Sequence, residues 1–501
     1  MDTRNKSLED INSSIALPKT KNFWKLLFSY LGPGALVAVG YMDPGNWATS
    51  ITGGQYFQYH LLSIILLSSL IAMVLQYASM KLGIVTRLDL AQVTRKYTTK
   101  RLSVVLWIVA ELAIMATDIA EVIGAAIALK LLFHIPLLFA VFITIFDVFL
   151  LLLLTKIGFR KIEALVVCLI AVIFLVFSYQ IYLSDFQFGE ALKGMIPSLY
   201  TVQDHPVIGG TSPLACSLGI IGATIMPHNL YLHSSISQVR KIDGDHSTKE
   251  MIKFSTIDSN LQLGMAFIVN ALLLFMGAAV FKGNAIQDTS FFGIYDALQN
   301  PALISNPIMS NIAKTGILST LFAVALLASG QNSTITGTLT GQIIMEGFVH
   351  IKLPPWLRRL VTRLLAVLPV MICILFTHHM STAQQHLTIN NLMIDSQIFL
   401  SLALPFSIIP LLMITNNKRI MGEFANRLWI KVIGWVSTIV LVYLNLTSIE
   451  GQIASICHDF EIPANQTVIQ VISFVLCATI ILLLIRVAWD MHKRMKEIHP
   501  E

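Results

Sequence analysis

Three side chains in two short runs carry the donor atoms of a site for a moderately soft divalent cation. In Gly40-Tyr41-Met42-Asp43-Pro44-Gly45-Asn46, Asp43 offers an anionic oxygen and Asn46 a neutral one a helical turn further on. In Gly222-Ala223-Thr224-Ile225-Met226-Pro227-His228-Asn229, Met226 offers a thioether. Proline removes a backbone donor and breaks a helix, so carbonyls near Gly40 and Ala223 are expected to be freed as further oxygen ligands. A carboxylate with carbonyls alone suits Mg²⁺ or Ca²⁺, whereas sulfur adds affinity for softer first-row ions. Mn²⁺ and Fe²⁺ are then the leading ions, with Co²⁺, Cd²⁺ and Zn²⁺ as others the site could accept. A lone methionine is ordinarily a core filler. Its place directly before the proline of a break weighs against that here.

A second set of chemistry-bearing residues is acidic. Glu111, Asp118 and Glu121 recur at spacings of seven and three in an otherwise apolar run, which puts all three on one face of a helix. Either they form a structural ion-pair set with an arginine such as Arg363, or they hand protons along the stripe. One arginine cannot neutralise three acids, which favours the proton route. His228 and His233 follow Met226, and each is either a proton relay or a hydrogen-bonded structural histidine.

The elements that must position these groups are membrane helices. The chain is 55% hydrophobic and only 12% charged, with a mean hydropathy of +0.72. Apolar stretches able to span a bilayer start near residues 26, 61, 103, 137, 162, 212, 256, 312, 360, 392, 430 and 467. An all-α integral membrane protein of about twelve helices is expected. All 34 lysines and arginines except Lys130, Lys193, Lys282 and Lys314 fall on one side of that topology, which predicts cytoplasmic termini. The net charge of +6 is thereby a topology signal and a contact for anionic lipid, and does not require nucleic acid. No cleaved signal segment precedes the first span, and residues 1–22 read as a disordered cytoplasmic tail. The five cysteines imply no disulfide framework, since Cys168, Cys373 and Cys477 lie within apolar spans. Short loops and tails point to a bacterial plasma membrane.

At bilayer depth a carboxylate costs roughly 2.5 kcal/mol or more, so Asp43 beside a proline break has to face a cavity or an ion. The two breaks align as Asp43-Pro44-Gly45-Asn46 on Met226-Pro227-His228-Asn229 and sit five helices apart. An odd offset reverses the entry side, so two inverted five-helix units are implied. Paired broken helices in inverted repeats mark a secondary transporter with a midplane site. The expected units are residues 23–209 and 210–416, followed by two additional helices over 417–488 and a cytoplasmic tail over 489–501. Gln331, Asn332, Thr334, Thr336, Asn270 and Gln397 are polar groups that line a path or bond between helices. Asp258, Ser259 and Asn260 are expected to cap the seventh span.

With these runs in view, the chain resembles the Nramp family of divalent metal transporters. The similarity rests on Asp43-Pro44-Gly45-Asn46, Met226-Pro227-His228, Thr117-Asp118-Ile119-Ala120-Glu121, Gly158-Phe159-Arg160-Lys161-Ile162-Glu163 and Gly341-Gln342-Ile343-Ile344-Met345-Glu346-Gly347-Phe348, and it runs from about residue 25 onward. The resemblance implies a fold like that of the leucine transporter, with a five-plus-five inverted repeat and two added helices. It implies Asp43, Asn46, Met226 and the Ala223 carbonyl as metal ligands, with Gln397 joining in some states. It further implies inward movement of Mn²⁺ or Fe²⁺ with protons by way of Asp43, His228, Glu111, Asp118, Glu121 and His233. A magnesium-carrying branch lacks the methionine, so Met226 places the chain outside it.

The alternative of the same architecture is a Na⁺-coupled amino-acid carrier, in which Asp43 would repel the substrate carboxylate but could pair with its amine. A non-transporting metal sensor would need an output domain, for which no loop is long enough. An intramembrane metalloenzyme would need a set such as His-Glu-x-x-His, which does not occur. The expected partners are the transported ion, protons and the bilayer, with no resident cofactor and no obligatory protein partner.

Overall fold

The computed structural model describes residues 17, 18, 20, 22–147, 159–184, 186–208, 211–241, 247–280, 290–304, 307–350, 354–460, 462–463 and 465–498. Most of the expected 1–22 tail, the second half of the fourth span with Gly158, and Lys156, Lys282 and Lys352 lie outside these residues. The described residues are helical nearly throughout, with only an isolated bridge between Ile208 and Thr211.

Among the described residues, eight helices are long and apolar enough to cross a membrane, or nine if the bent pair Phe23–Tyr30 and Pro33–Met42 counts as one span. The expected spans missing from that set are informative. The sixth is interrupted, with half-helices Pro213–Thr224 and Pro227–Ile236. The eighth, Ile317–Val349, is long but carries the polar run Gly330-Gln331-Asn332-Ser333-Thr334. The fourth begins as Leu137–Thr144 and is described only as far as Asp147. In the sixth and eighth spans, then, a break or polar groups replace lipid-like sequence in the protein interior.

The first span is broken as well, into Pro33–Val39, a tight turn over Gly40–Met42, and Pro44–Phe57. Leu62–Thr86 is the second span, Lys100–Phe133 the third, Phe159–Tyr182 the fifth and Thr248–Phe275 the seventh. Pro355–Phe376 is the ninth, and the tenth divides into Thr382–Ala403 and Pro405–Thr415. The third span packs along the eighth, and the tenth lies against both the third and the first half of the sixth. The first-span halves pack on the seventh. The eleventh and twelfth helices, Leu428–Asp459 and Gln466–Ile498, are peripheral; only 17% of the twelfth's apolar window is buried. This is an all-α membrane fold with two broken helices at its centre and two helices outside the repeat.

Small residues set the close approach of the first and seventh spans. A methyl group on Gly54 would overlap the Leu274 carbonyl oxygen and stand 3.0 Å from Ala278 N, and one on Gly277 would meet the Ile51 carbonyl in the same way. In lipid, where apolar burial drives little association, such backbone-to-backbone packing is what holds helices together. Gly54→Val is therefore expected to lower the thermal unfolding temperature of the purified protein by an amount matching about 1–3 kcal/mol or more of overpacking. Gly264→Ala, with nothing within 4 Å of the added methyl, serves as the control and should leave it unchanged. Equal melting of both variants would show that this helix contact does not limit stability.

Candidate metal site

Both breaks are built the same way. Asp43 is extended (φ −72°, ψ 167°), its carboxylate accepts from Asn46 N at 2.9 Å, and Pro44 opens the following half-helix. Met226 is extended (φ −77°, ψ 128°) and Pro227 opens its half-helix, but no side chain caps that end. Proline at the first helical position costs nothing, because its missing N–H is one of the unpaired donors anyway. The two residues that the sequence register sets against one another, Asp43 and Met226, thus hold the same N-cap position in their respective spans.

The breaks also face one another. Asn46 Nδ2 donates to Asp43 Oδ1 at 2.6 Å, to Ala223 O at 2.9 Å and to Gly40 O at 3.3 Å. Gly40 O and Ala223 O come from turns that end half-helices, where carbonyls lose their intrahelical partners. One amide therefore gathers a carboxylate and the loose ends of both broken spans. Turned over about its last bond, the same amide presents its oxygen to the same three neighbours. Asn229 Nδ2 lies 3.8 Å from Met226 Sδ, and a methyl on Gly40 would overlap that Asn229 amide, so the thioether stands beside the first break. Gln397 of the tenth span closes another side, because methyl groups on Gly45 and Gly222 would overlap its side-chain amide and backbone oxygen.

All of these groups are buried: Asp43, Met226, Ala223 and Gln397 are 0% exposed and Asn46 is 2%. Among the described residues, Asp43 Oδ2, Asn229 Oδ1 and Gln397 Oε1 are buried acceptors without a donor, and His228 Nδ1 is without a partner. Buried polar atoms are almost always paired, so a cluster of orphan oxygen acceptors is a mark of a place for positive charge.

The acidic stripe of the third span meets the ninth. Arg358 Nη2 donates to Glu111 at 2.7 Å; Arg359 donates to Asp118 at 2.5 Å, Glu121 at 2.8 Å and Asp147 at 3.3 Å. Arg363 donates to Glu121 at 3.4 Å and to Asp147. Ser333 and Thr334 of the eighth span add donors to Glu121 at 2.6 and 3.2 Å. Three arginines are present, then, not the one that sequence reasoning weighed against three acids. Arg358 and Arg359 were absorbed into the count of basic residues that set topology, although their spacing with Arg363 places a cationic patch on one helix. Asp147 was also missed; a lone acid in the apolar fourth span was its signal. The inner group holds Asp118, Glu121 and Asp147 against Arg359 and Arg363, and among the described residues Asp118 Oδ2 and Asp147 Oδ1 lack donors.

The histidines separate. His233 Nδ1 shares a hydrogen bond of 2.9 Å with Gln76 Oε1, and Gln76 Nε2 donates to Tyr41 OH at 2.8 Å, tying the sixth span to the first break through the second span. His228 is buried without such a bond. Asp258 corrects an expectation: the seventh helix begins at Thr248, and its carboxylate accepts from Gly34 N at 2.7 Å, so it caps the first half-helix and not its own. Gly32, with φ +137°, makes the turn that brings this end to Asp258.

Comparison with known proteins agrees with this architecture. The family pattern described as "Natural resistance-associated macrophage protein-like", Nramp, matches residues 34–450. A divalent metal cation transporter MntH of Pediococcus pentosaceus is 57% identical over 443 residues, covering 88% of this chain and 95% of that protein. The MntH of Staphylococcus saprophyticus is 54% identical over 448 residues, covering 89% and 96%. The crystal structure of the Eremococcus coleocola manganese transporter superposes with a TM-score of 0.91 at 61% identity, covering 97% of this chain and 99% of that one. Mhp1, a nucleobase-cation-symport-1 transporter, shares the fold alone, with a TM-score of 0.52 at 14% identity over 92% and 93% of the two chains. The chain belongs to the Nramp family.

Proposed function

We propose that this protein carries divalent transition metal ions into the cell, Mn²⁺ and Fe²⁺ foremost and Co²⁺ or Cd²⁺ as well, by alternating access around the two breaks. The observation that carries the reading is the convergence of Asp43 Oδ1, Gly40 O and Ala223 O on the Asn46 amide, with orphan oxygens of Asp43, Asn229 and Gln397 beside it. The names of the relatives support the class of cargo. Asp43, Asn46, Met226, the carbonyls of Ala223 and Gly40, and Gln397 are the proposed ligands. Asn46 would turn its amide to offer oxygen as the ion enters, since an NH₂ group and a cation favour the same acceptors.

The test is Mn²⁺ uptake into proteoliposomes. Asp43→Ala should abolish flux, because it removes the only anionic ligand; undiminished flux in that variant would sink the assignment. Met226→Ala should keep Mn²⁺ transport while Ca²⁺ or Mg²⁺ begins to enter, as the remaining ligands are all hard oxygens. Continued exclusion of Ca²⁺ would place selectivity elsewhere.

Proton coupling is proposed through the acid–arginine network. Among the described residues, Asp118, Glu121 and Asp147 share Arg359 and Arg363, so one carboxylate is in excess, whereas Glu111 and Arg358 balance. A buried carboxylate without a counter-charge is a natural proton carrier. His228 and His233 would relay between this network and Asp43, and Arg363 would hold the inner acids in place. Glu121→Gln removes the excess charge while keeping the shape. It is expected to retain Mn²⁺ flux with little accompanying acidification of the vesicle interior, followed by an enclosed pH dye. Acidification per Mn²⁺ equal to that of the wild type would remove Glu121 from the proton route. The basic-residue asymmetry supports cytoplasmic termini in a bacterial plasma membrane.

A further inference from the structure

The tenth span divides at Pro405, about two turns beyond Gln397. Proline has no N–H, so the carbonyl four residues before it loses its helical donor. That carbonyl belongs to Ser401. It accepts from Leu404 N at 3.3 Å and, across the helix interface, from Asn445 Nδ2 at 2.8 Å. Asn445 Oδ1 in turn accepts from Ser401 Oγ. One side chain of the eleventh helix thus meets both the hydroxyl and the loosened carbonyl of a single residue, within a span where water cannot stand in for either bond. Asn445 is 2% exposed, on a helix whose outer face carries exposed Ile439, Val440 and Tyr443. On the far side of the break the same helix has Gly434, where an added methyl would stand 2.7 Å from Leu412 Cδ2. The eleventh helix therefore grips both halves of the tenth span and splints the break between them.

Gln397 lies one turn before Ser401 on the same face of the tenth span. Gly222 of the sixth span receives both residues, since an added methyl would overlap the Gln397 carbonyl oxygen and stand 3.0 Å from Ser401 Cβ. The Gln397 side chain is lightly held. Its Nε2 donates to the adjacent Ser396 Oγ at 3.1 Å, and among the described residues its Oε1 has no donor. Where that amide points is therefore set by the backbone that carries it, and the two-point contact from Asn445 fixes both the distance and the rotation of that backbone. We propose that Asn445 is a positioning residue for the metal site, holding the Ser401 turn so that the Gln397 amide stays against the two breaks. The proposal rests on the reading of Gln397 as a metal ligand. It gives the peripheral eleventh helix a part in ion binding without any contact to the ion.

The test is calorimetric titration of Mn²⁺ into the full-length protein in mild detergent, for Asn445→Leu, Gln397→Leu, the double variant and Asp43→Ala. Asn445→Leu removes both bonds to Ser401 and should weaken Mn²⁺ binding about tenfold. Because the effect passes through Gln397, the same change in the Gln397→Leu background should cost less than about twofold. Losses that multiply in the double variant would reduce Asn445 to helix packing and overturn the proposal. Equal unfolding temperatures without metal verify folding. If Asn445→Leu falls short there, Ser401→Ala takes its place in the cycle under the same criteria; it keeps the carbonyl bond and should weaken binding about threefold. Wild-type affinity in Asn445→Leu, with clear losses in Asp43→Ala and Gln397→Leu, would overturn the positioning role alone. Wild-type affinity in Asp43→Ala or in Gln397→Leu would instead overturn the ligand assignment, and the role of Asn445 would fall with it.

Discussion

In a bilayer no water is available to satisfy a backbone that leaves the helix, and this constraint organises the centre of the molecule. Each break strands carbonyl groups at the end of one half-helix and places a proline-led N-terminus at the start of the next. Neither span can satisfy these groups alone. Facing each other they can, because the Asn46 amide of one break reaches Ala223 O of the other at 2.9 Å while also binding Gly40 O and Asp43. The solution leaves more acceptors than donors among the described residues, and that surplus suits the proposed cation site.

Such an encounter requires helices closer than ordinary side chains allow. Gly40 admits the Asn229 amide, Gly45 and Gly222 admit Gln397, and Gly54 and Gly277 bring the first and seventh spans into backbone contact. The glycines act less through their own flexibility than through the room they leave. A similar economy holds for the ion network, where Gly337 lies 3.4 Å from Glu121 and 3.8 Å from Arg359 measured from an added methyl. Buried ion pairs repay their desolvation only when geometry is tight and the remaining donors and acceptors are met, and Ser333 and Thr334 supply part of that requirement.

The fold class and the two breaks were legible because proline and a carboxylate within apolar runs are locally improbable, and a match of register between them is visible without any knowledge of packing. The stripe of Glu111, Asp118 and Glu121 was legible for the same reason. Of its partners only Arg363 was, because Arg358 and Arg359 sit near the end of a span where basic residues are common, and one-dimensional counting assigns them to topology. Only packing of the ninth span on the third turns them inward, to 4% and 0% exposure. Asp258 was misassigned by a similar blindness: helix starts read from sequence drift by several residues, and a cap donated across helices has no sequence period at all.

The proposed site uses one charged ligand where a resident metal centre would use several. Among the described residues no set of three or more histidines, cysteines or acids is arranged to hold a metal ion. For a cargo this is an advantage, since conduction requires binding strong enough to enter and weak enough to leave. A second carboxylate beside Asp43 would raise affinity for every divalent ion alike, because Coulomb attraction does not distinguish Mn²⁺ from Ca²⁺. A thioether discriminates without adding charge: a hard ion loses an oxygen ligand and gains little, whereas a softer ion is compensated. In the proposed site, selectivity and release would thereby fall to different atoms, softness to Met226 and charge to Asp43. The inverted repeat suits that division, because the same N-cap position occurs twice and each copy can carry a different donor.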